Sequence, residues 1–219
     1  SVRQGEIVAV FGHLGSGKTW LARTLFGANQ TYRARIDGAE RRVAGTRQAA
    51  RLGIALVPEE RGKQGIWKRQ DIRAHLSLGF RGFISKGKEM NYSKSIIEAF
   101  DIRPAVPGYR VGALSGGNQQ KVAIAKWFSR SPKVAIFDEP MKGIDVAAKE
   151  TIFRVIEELA AQGASVLYMT AEPDDALRIA DRILVLSRNR IVAELTGAEA
   201  TAAQLFEAAE EEGSSVGNG

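Results

Sequence analysis

GHLGSGKT, residues Gly12–Thr19, decides how the rest of the chain is read. A glycine, four residues and then Gly-Lys-Thr is the spacing of a phosphate-binding loop, in which small residues let several backbone N–H groups turn toward one anion. Gly12, Gly15 and Gly17 reach backbone angles closed to residues with a Cβ and leave room for a phosphate against the main chain. Lys18 brings a point charge to the outer phosphates, and Thr19 places a hydroxyl where a Mg²⁺ ion bridging them would sit. His13, Ser16 and Trp20 lie in or beside the loop and join the candidate nucleotide neighbours. Competing expectations are core packing for Trp20 and an exposed position without a role for His13.

The flanks meet the loop's requirement of a strand before and a helix after. Glu6–Phe11, EIVAVF, reads as a strand buried on both faces. Trp20–Phe26 reads as a helix, with Leu21 and Leu25 four apart and Gly27 as its C-cap. The loop then feeds a helix N-terminus, whose unsatisfied N–H groups and partial positive charge suit phosphate.

Further short apolar runs, Ile54–Val57, Val134–Phe137, Val166–Met169 and Ile183–Leu186, read as buried strands. Between the second and third, Val146–Gln162 places Ile152, Val155, Ile156 and Leu159 on one helical face. Strands alternating with helices predict an α/β fold with a mainly parallel sheet, and ligands at the carboxyl ends of its strands. From Asp71 to about Pro107 strand signals stop, glycines scatter through FRGFISKGKE, and Tyr92–Phe100 is helical, so an inserted helical subdomain is predicted. The expected organisation is residues 1–70 as the phosphate-loop part of the core and 71–112 as the insert, continuing through a helix over 113–130. Residues 131–198 form the rest of the core, and 199–219 a terminal helix and a disordered tail, GSSVGNG.

Cysteine is absent, which excludes disulfides and thiolate metal sites and fits a reducing compartment. No apolar run approaches the roughly eighteen residues of a spanning helix, so the chain is expected not to cross a membrane by itself. The formal net charge of +6 is modest. The basic residues of Arg33–Arg51 and Arg61–Arg73 lack the interleaved aromatics of a single-stranded nucleic-acid groove and read as a solvated face. SVRQGEI, without an initiator Met, runs almost directly into the first strand, as expected of a piece of a longer chain.

VAIFDE, residues 134–139, sets two carboxylates at the end of a buried strand. Asp138 is placed to hold Mg²⁺ and Glu139 to polarise a water for attack on a terminal phosphate. Leu114–Lys121, LSGGNQQK, opens a helix with Ser115 near its cap and two glycines that permit close approach. It is a second anion-binding helix end, and two such ends need not serve one nucleotide.

GHLGSGKT, LSGGNQQK and VAIFDEP, in that order, resemble the Walker A, signature and Walker B motifs of the ATP-binding cassette (ABC) ATPases, a P-loop NTPase family. The likeness covers nearly the whole chain. LSGGNQQKVAIAK followed by DEPMKGIDVAAK is similar to the second cassette of fused, two-cassette ATPases of bacterial monosaccharide importers of the ribose, galactose and xylose kind. The resemblance implies ATP and Mg²⁺ as cofactors, with Thr19 and Asp138 at the metal and Glu139 as catalytic base. It places Asp145 in the D-loop and turns Ser115, Gly116, Gly117 and Gln119 toward the nucleotide of a companion cassette fused upstream. Transmembrane permease subunits, indirectly a sugar-binding protein, and work at the cytoplasmic face of the membrane are also implied, with no nucleic-acid partner.

Two positions depart from the family pattern. Glu59, or Glu60 one register on, stands where most cassettes carry a Gln that touches the metal, and Ala171-Glu172 stands where a switch His meets the terminal phosphate. A carboxylate repels phosphate, so Glu172 replaces that His in catalysis only when protonated. The strands that carry an adenine-stacking aromatic in most cassettes are also missing ahead of the loop. Three readings stay open: a sugar-importer cassette that hydrolyses ATP, a cassette that binds nucleotide and only completes its companion's site, and a soluble ABC ATPase acting on nucleic acid.

Overall fold

The computed structural model describes residues 1–78 and 85–211. The glycines of FRGFISKGKE lie partly, and the GSSVGNG tail wholly, outside the described residues. The elements run β1 (Ile7–Phe11), α1 (Lys18–Leu25), β2 (Tyr32–Ile36), β3 (Ala39–Val43), α2 (Thr46–Arg51), β4 (Ile54–Val57), α3 (Ile72–Ser77), α4 (Lys86–Ala99) and α5 (Gly116–Ala125). They continue with β5 (Val134–Asp138), α6 (Val146–Ala161), β6 (Ser165–Thr170), α7 (Pro173–Ile179), β7 (Arg182–Ser187), β8 (Arg190–Thr196) and α8 (Ala202–Glu211).

Packing divides the chain into two compact units, Ser1–Leu56 with Lys133–Pro140 and Leu159–Gly219, and Val57–Pro132 with Met141–Glu158. The second unit thus begins at Val57, where sequence sets the insert's start at Asp71. The first unit is built on a six-stranded sheet ordered β4-β5-β6-β1-β7-β8. β5, β6, β1 and β7 pair in parallel along that order, and β8 closes the edge antiparallel to β7. All five β1 residues are buried, as an apolar run between two covered faces requires. Alternation along the strands separates two cores. Val10, Ile136 and Met169 pack with Ala22 of α1 and Val43 on one face, and Ala9, Phe11, Ile183 and Val185 pack with Ala176 of α7 and Leu205 of α8 on the other.

The β2–β3 hairpin, read from sequence only as a basic stretch, has an inner face of Tyr32, Ala34 and Ile36 alternating with exposed Arg33 and Arg35. Its turn is Asp37-Gly38, both at positive φ, as a two-residue hairpin loop requires.

In the second unit α3 packs on α4 and α5. Asp71 caps α3, accepting from Ala74 N–H at 2.7 Å. His75 is fully buried. Its Nε2 lies 2.9 Å from Trp67 N–H and its Nδ1 2.8 Å from the Asp71 carbonyl, so the neutral ring with a proton on Nδ1 satisfies both and the role is structural. Burial, ahead of every other influence, holds its pKa below the ordinary value.

Lys126, at the end of α5, donates to the Gly65 carbonyl and lies 5.6 Å from the Trp127 ring centre. Burial lowers its pKa from 10.5 to about 8. Between those values the unfolded chain holds a proton that the folded one has shed, so stability rises with pH across that window, and below it the full cost of the buried charge is present. Urea midpoints are expected to climb from about pH 8 toward about pH 10 in the parent and to flatten in Lys126→Met.

Candidate functional site

Strand register assembles the site. Phe11 of β1 pairs with Thr170 of β6, and Asp138 of β5 with Met169, so the loops leaving β1, β5 and β6 emerge together at the carboxyl edge of the sheet. Gly12 N–H donates to the Thr170 carbonyl at 3.3 Å, and Glu139 N–H to the Met169 carbonyl at 2.9 Å. These bonds extend the parallel ladder one residue into each loop.

The Gly12–Thr19 loop is held from behind by its own unit. A Cβ on Gly12 would run into the Leu186 carbonyl, and one on Gly17, at φ 107°, into the Asn189 side chain. Asn189 N–H also donates to the Ser16 carbonyl at 2.9 Å. Asn189 and Arg188 form the β7–β8 turn, both at positive φ. Sequence reasoning missed this brace, because nothing in the residues around Asn189 signals a partner so distant along the chain.

Inside the loop, Lys18 is 6% exposed and its ammonium donates to the carbonyls of Gly12 at 2.6 Å and His13 at 3.1 Å. It also lies 3.3 Å from Glu139 Oε1. The other Glu139 oxygen accepts from Ala171 N–H at 3.3 Å. Glu139 takes a φ of 48°, in the left-handed region where a non-glycine residue stores about 1 kcal/mol or more, as is common at functional positions. Thr19 Oγ1 donates to Asp138 Oδ1 at 3.2 Å. Beneath Glu139, Tyr168 is wholly buried, with its hydroxyl 3.5 Å from Asp175 Oδ2. Burial, then the Asp175 and Glu139 carboxylates, push its pKa far up, so it stays a donor.

The loop fits a nucleotide phosphate chain. Ser16 Oγ is buried without a partner, a hydroxyl that an entering phosphate oxygen would satisfy. Among the described residues no group of three or more His, Cys, Asp and Glu could hold a metal ion by itself. That suits Mg²⁺, which is bound through one or two carboxylates plus substrate phosphates rather than by an all-protein cage. Thr19 and Asp138 are the side chains placed to hold it.

Other expected residues fall differently. Trp20 is 53% exposed, which corrects the expectation of core packing: in the first turn of α1 its side chain points away from Ala22 and the sheet. His13 is exposed, as expected. Glu172 is exposed at the start of α7, where its N–H donates to Thr170 Oγ1 at 3.0 Å and its carbonyl accepts from Ala176 N–H at 3.3 Å. The group that β6 delivers to Glu139 is therefore the Ala171 amide rather than the Glu172 carboxylate.

In the second unit Glu59 pairs with Lys142 at 2.6 Å and Glu60 with Lys63 at 2.9 Å, so each carboxylate has a lysine. Ser115 caps α5 and takes two bonds from Asn118, from its N–H at 3.4 Å and its Nδ2 at 2.9 Å. Asn118 Oδ1 accepts from Arg103 N–H at 2.8 Å, while Gln119 turns its amide back to the Leu114 carbonyl at 3.0 Å. The side chain tied to the Ser115 hydroxyl is thus that of Asn118. A Cβ on Gly117 would press on Asp145 and Ala148, and Asp145 caps α6 through Ala148 N–H at 2.9 Å.

Residues 1–142 match the ABC transporter family model. The chain belongs to the ABC transporter family. Its similarity to a "Ribose import ATP-binding protein RbsA" of Geobacillus kaustophilus is 38% identity over 201 residues, 88% of this chain and 41% of that protein. A "Putative ribose/galactose/methyl galactoside import ATP-binding protein 1" of Rhizobium meliloti is 37% identical over 214 residues, 94% of this chain and 43% of its own length. The chain spans about two fifths of the curated relatives it matches. Its fold is that of ATP-binding cassettes. A dimeric cassette, MJ0796, in a post-hydrolysis state with ADP and Pi superposes with a TM-score of 0.79 at 20% identity, covering 91% of this chain and 89% of that one. An ATP-binding subunit of an ABC transporter gives 0.76 at 25% identity, covering 94% and 88%. In cassette terms the Gly12–Thr19 loop is the Walker A motif. No described helix is long and apolar enough to cross a membrane.

Proposed function

We propose that this ABC cassette binds ATP with Mg²⁺ at the Gly12–Thr19 loop and hydrolyses it as part of a sugar importer. The observation that carries the reading is the meeting at one sheet edge of Lys18, the Thr19–Asp138 pair and Glu139, the last held between Lys18 and Ala171 N–H. Lys18, freed from Glu139, moves its charge to the phosphates, and Glu139 then accepts a proton from the attacking water. Thr19 and Asp138 would hold Mg²⁺, which when bound would neutralise charge on the phosphates.

The sugar-import role rests on the relatives' names. The remainder of their length leaves room for a companion cassette, with which this chain closes around nucleotide and moves permease subunits fed by a sugar-binding protein. It works at the cytoplasmic face of the membrane, associated peripherally. Ser115, Gly116 and Gly117 then meet the companion's nucleotide, and Asp145 the interface beside it. Ser115→Arg is expected to lower turnover of the intact protein about tenfold or more, as loss of a phosphate-facing donor does, while ATP still binds this chain's own loop. ATP binding at the loop with turnover as in the parent would sink the composite arrangement.

A second reading keeps binding here and leaves hydrolysis to the companion. Glu59 and Glu172 favour it, since Ala171-Glu172 stands where the family's switch His meets the terminal phosphate, the Glu172 side chain is exposed, and Glu59 pairs with Lys142. Under it, Glu139→Gln leaves turnover unchanged and the equivalent change in the companion abolishes it.

A further inference from the structure

His13 lies within the phosphate loop, and its imidazole has an aromatic partner. Phe206, on α8, stacks on it with ring centres 5.8 Å apart and planes 14° from parallel. Phe11, the last residue of β1, sets its edge against both rings, at 5.7 Å from Phe206 and 6.2 Å from His13. The His13 backbone belongs to the cradle, its carbonyl accepting from Lys18 Nζ and from Ser16 N–H, each at 3.1 Å. A path of direct contacts therefore runs from α8 through two rings to the ammonium that would meet the phosphates.

We propose that Phe206 is a positioning residue for the phosphate loop: its ring holds His13, and with it the loop's entry, in the shape that accepts nucleotide, so that docking of α8 and nucleotide binding form one linked equilibrium. The proposal rests on the reading that the loop binds ATP. Phe206 is 39% exposed, whereas the anchors of α8 are Leu205, fully buried, Ala209, and the Ser187 hydroxyl that donates to the Ala209 carbonyl at 3.1 Å. Removing the Phe206 ring thus opens no core cavity and leaves the helix its own attachment. What it removes is a restraint on His13, and a loop that samples more shapes binds in proportion to the fraction that is competent. Linkage makes the effect reciprocal, so bound nucleotide must tighten α8 by the factor with which α8 tightens nucleotide.

The test uses the intact protein with ATP as probe, measuring affinity by calorimetry and amide exchange across Ala202–Glu211 with and without ATP. Phe206→Ala is expected to raise the Kd for ATP about three- to tenfold, the factor that one or two ring pairs supply. Phe206→Tyr, which keeps the ring, is expected to stay within about twofold of the parent. In the parent, ATP slows exchange through α8. Should Phe206→Ala loosen the helix, Phe206→Leu keeps an apolar anchor while deleting the ring and is expected to weaken ATP binding just as much. A Phe206→Leu protein that binds ATP as the parent does, or α8 exchange indifferent to ATP, overturns the coupling. A parent without affinity for ATP overturns the nucleotide reading instead.

Discussion

Glu139→Gln is expected to leave ATP bound and to cut phosphate release about a hundredfold or more, the scale of a lost general base. A Gln side chain has nearly the same shape, and its amide oxygen still accepts from Ala171 N–H, the bond that fixes Glu139 now at 3.3 Å. It cannot take a proton from water. It also lacks the charge that faces Lys18 at 3.3 Å, so the ammonium is released toward phosphate and binding is held or strengthened. Trapped-nucleotide counting beside single-turnover phosphate release separates the two effects. Equal phosphate release in variant and parent would move hydrolysis to the companion and favour the second reading.

Lys18→Ala is expected to act on binding first, raising the Kd for ATP about thirtyfold or more, as loss of a buried charged donor costs 2 kcal/mol or more. The loss has two parts. One is the missing charge at the outer phosphates. The other is that Glu139, 16% exposed, loses the Lys18 ammonium 3.3 Å from its Oε1, which offsets the carboxylate's repulsion of the entering nucleotide. The double variant Lys18→Ala/Glu139→Gln removes that repulsion and is expected to recover part of the affinity. Equilibrium binding of ATP to the single and double variants reads the coupling directly, and strictly additive losses would show that the two residues do not act together.

The parallel core was legible because each of its strands is a short apolar run covered on both faces, and EIVAVF, VAIF and VLYM could be placed to within a residue or so. The β2–β3 hairpin was not, because its outer face is arginine and its inner face only half-buried, which blurs the alternation to a basic stretch. Asp37-Gly38 carried the missing signal. β8 escaped for a related reason: as an edge strand with exposed Arg190 and Ile191 it has no continuous apolar run.

At the site, spacing alone found the residues that local chain geometry positions, the loop from Gly12 to Thr19 and the pair Asp138–Glu139. It missed those that act through a backbone atom or across the fold, since an amide such as that of Ala171 has no residue-type signature and the contacts of Asn189 and Phe206 with the loop depend on tertiary packing. Of the two expectations for Trp20, nucleotide neighbour and core packing, the second fails because the helix phase set by Ala22 turns the side chain outward.

ATP bound and phosphate released per chain should be counted together in the intact protein with Mg²⁺, for the parent, Glu139→Gln and the Lys18→Ala blank. If the loop and the Walker B carboxylate form a working site, the parent binds and hydrolyses, Glu139→Gln binds without hydrolysing, and Lys18→Ala does neither at this chain's site. Binding and phosphate release in Lys18→Ala equal to those of the parent would contradict it.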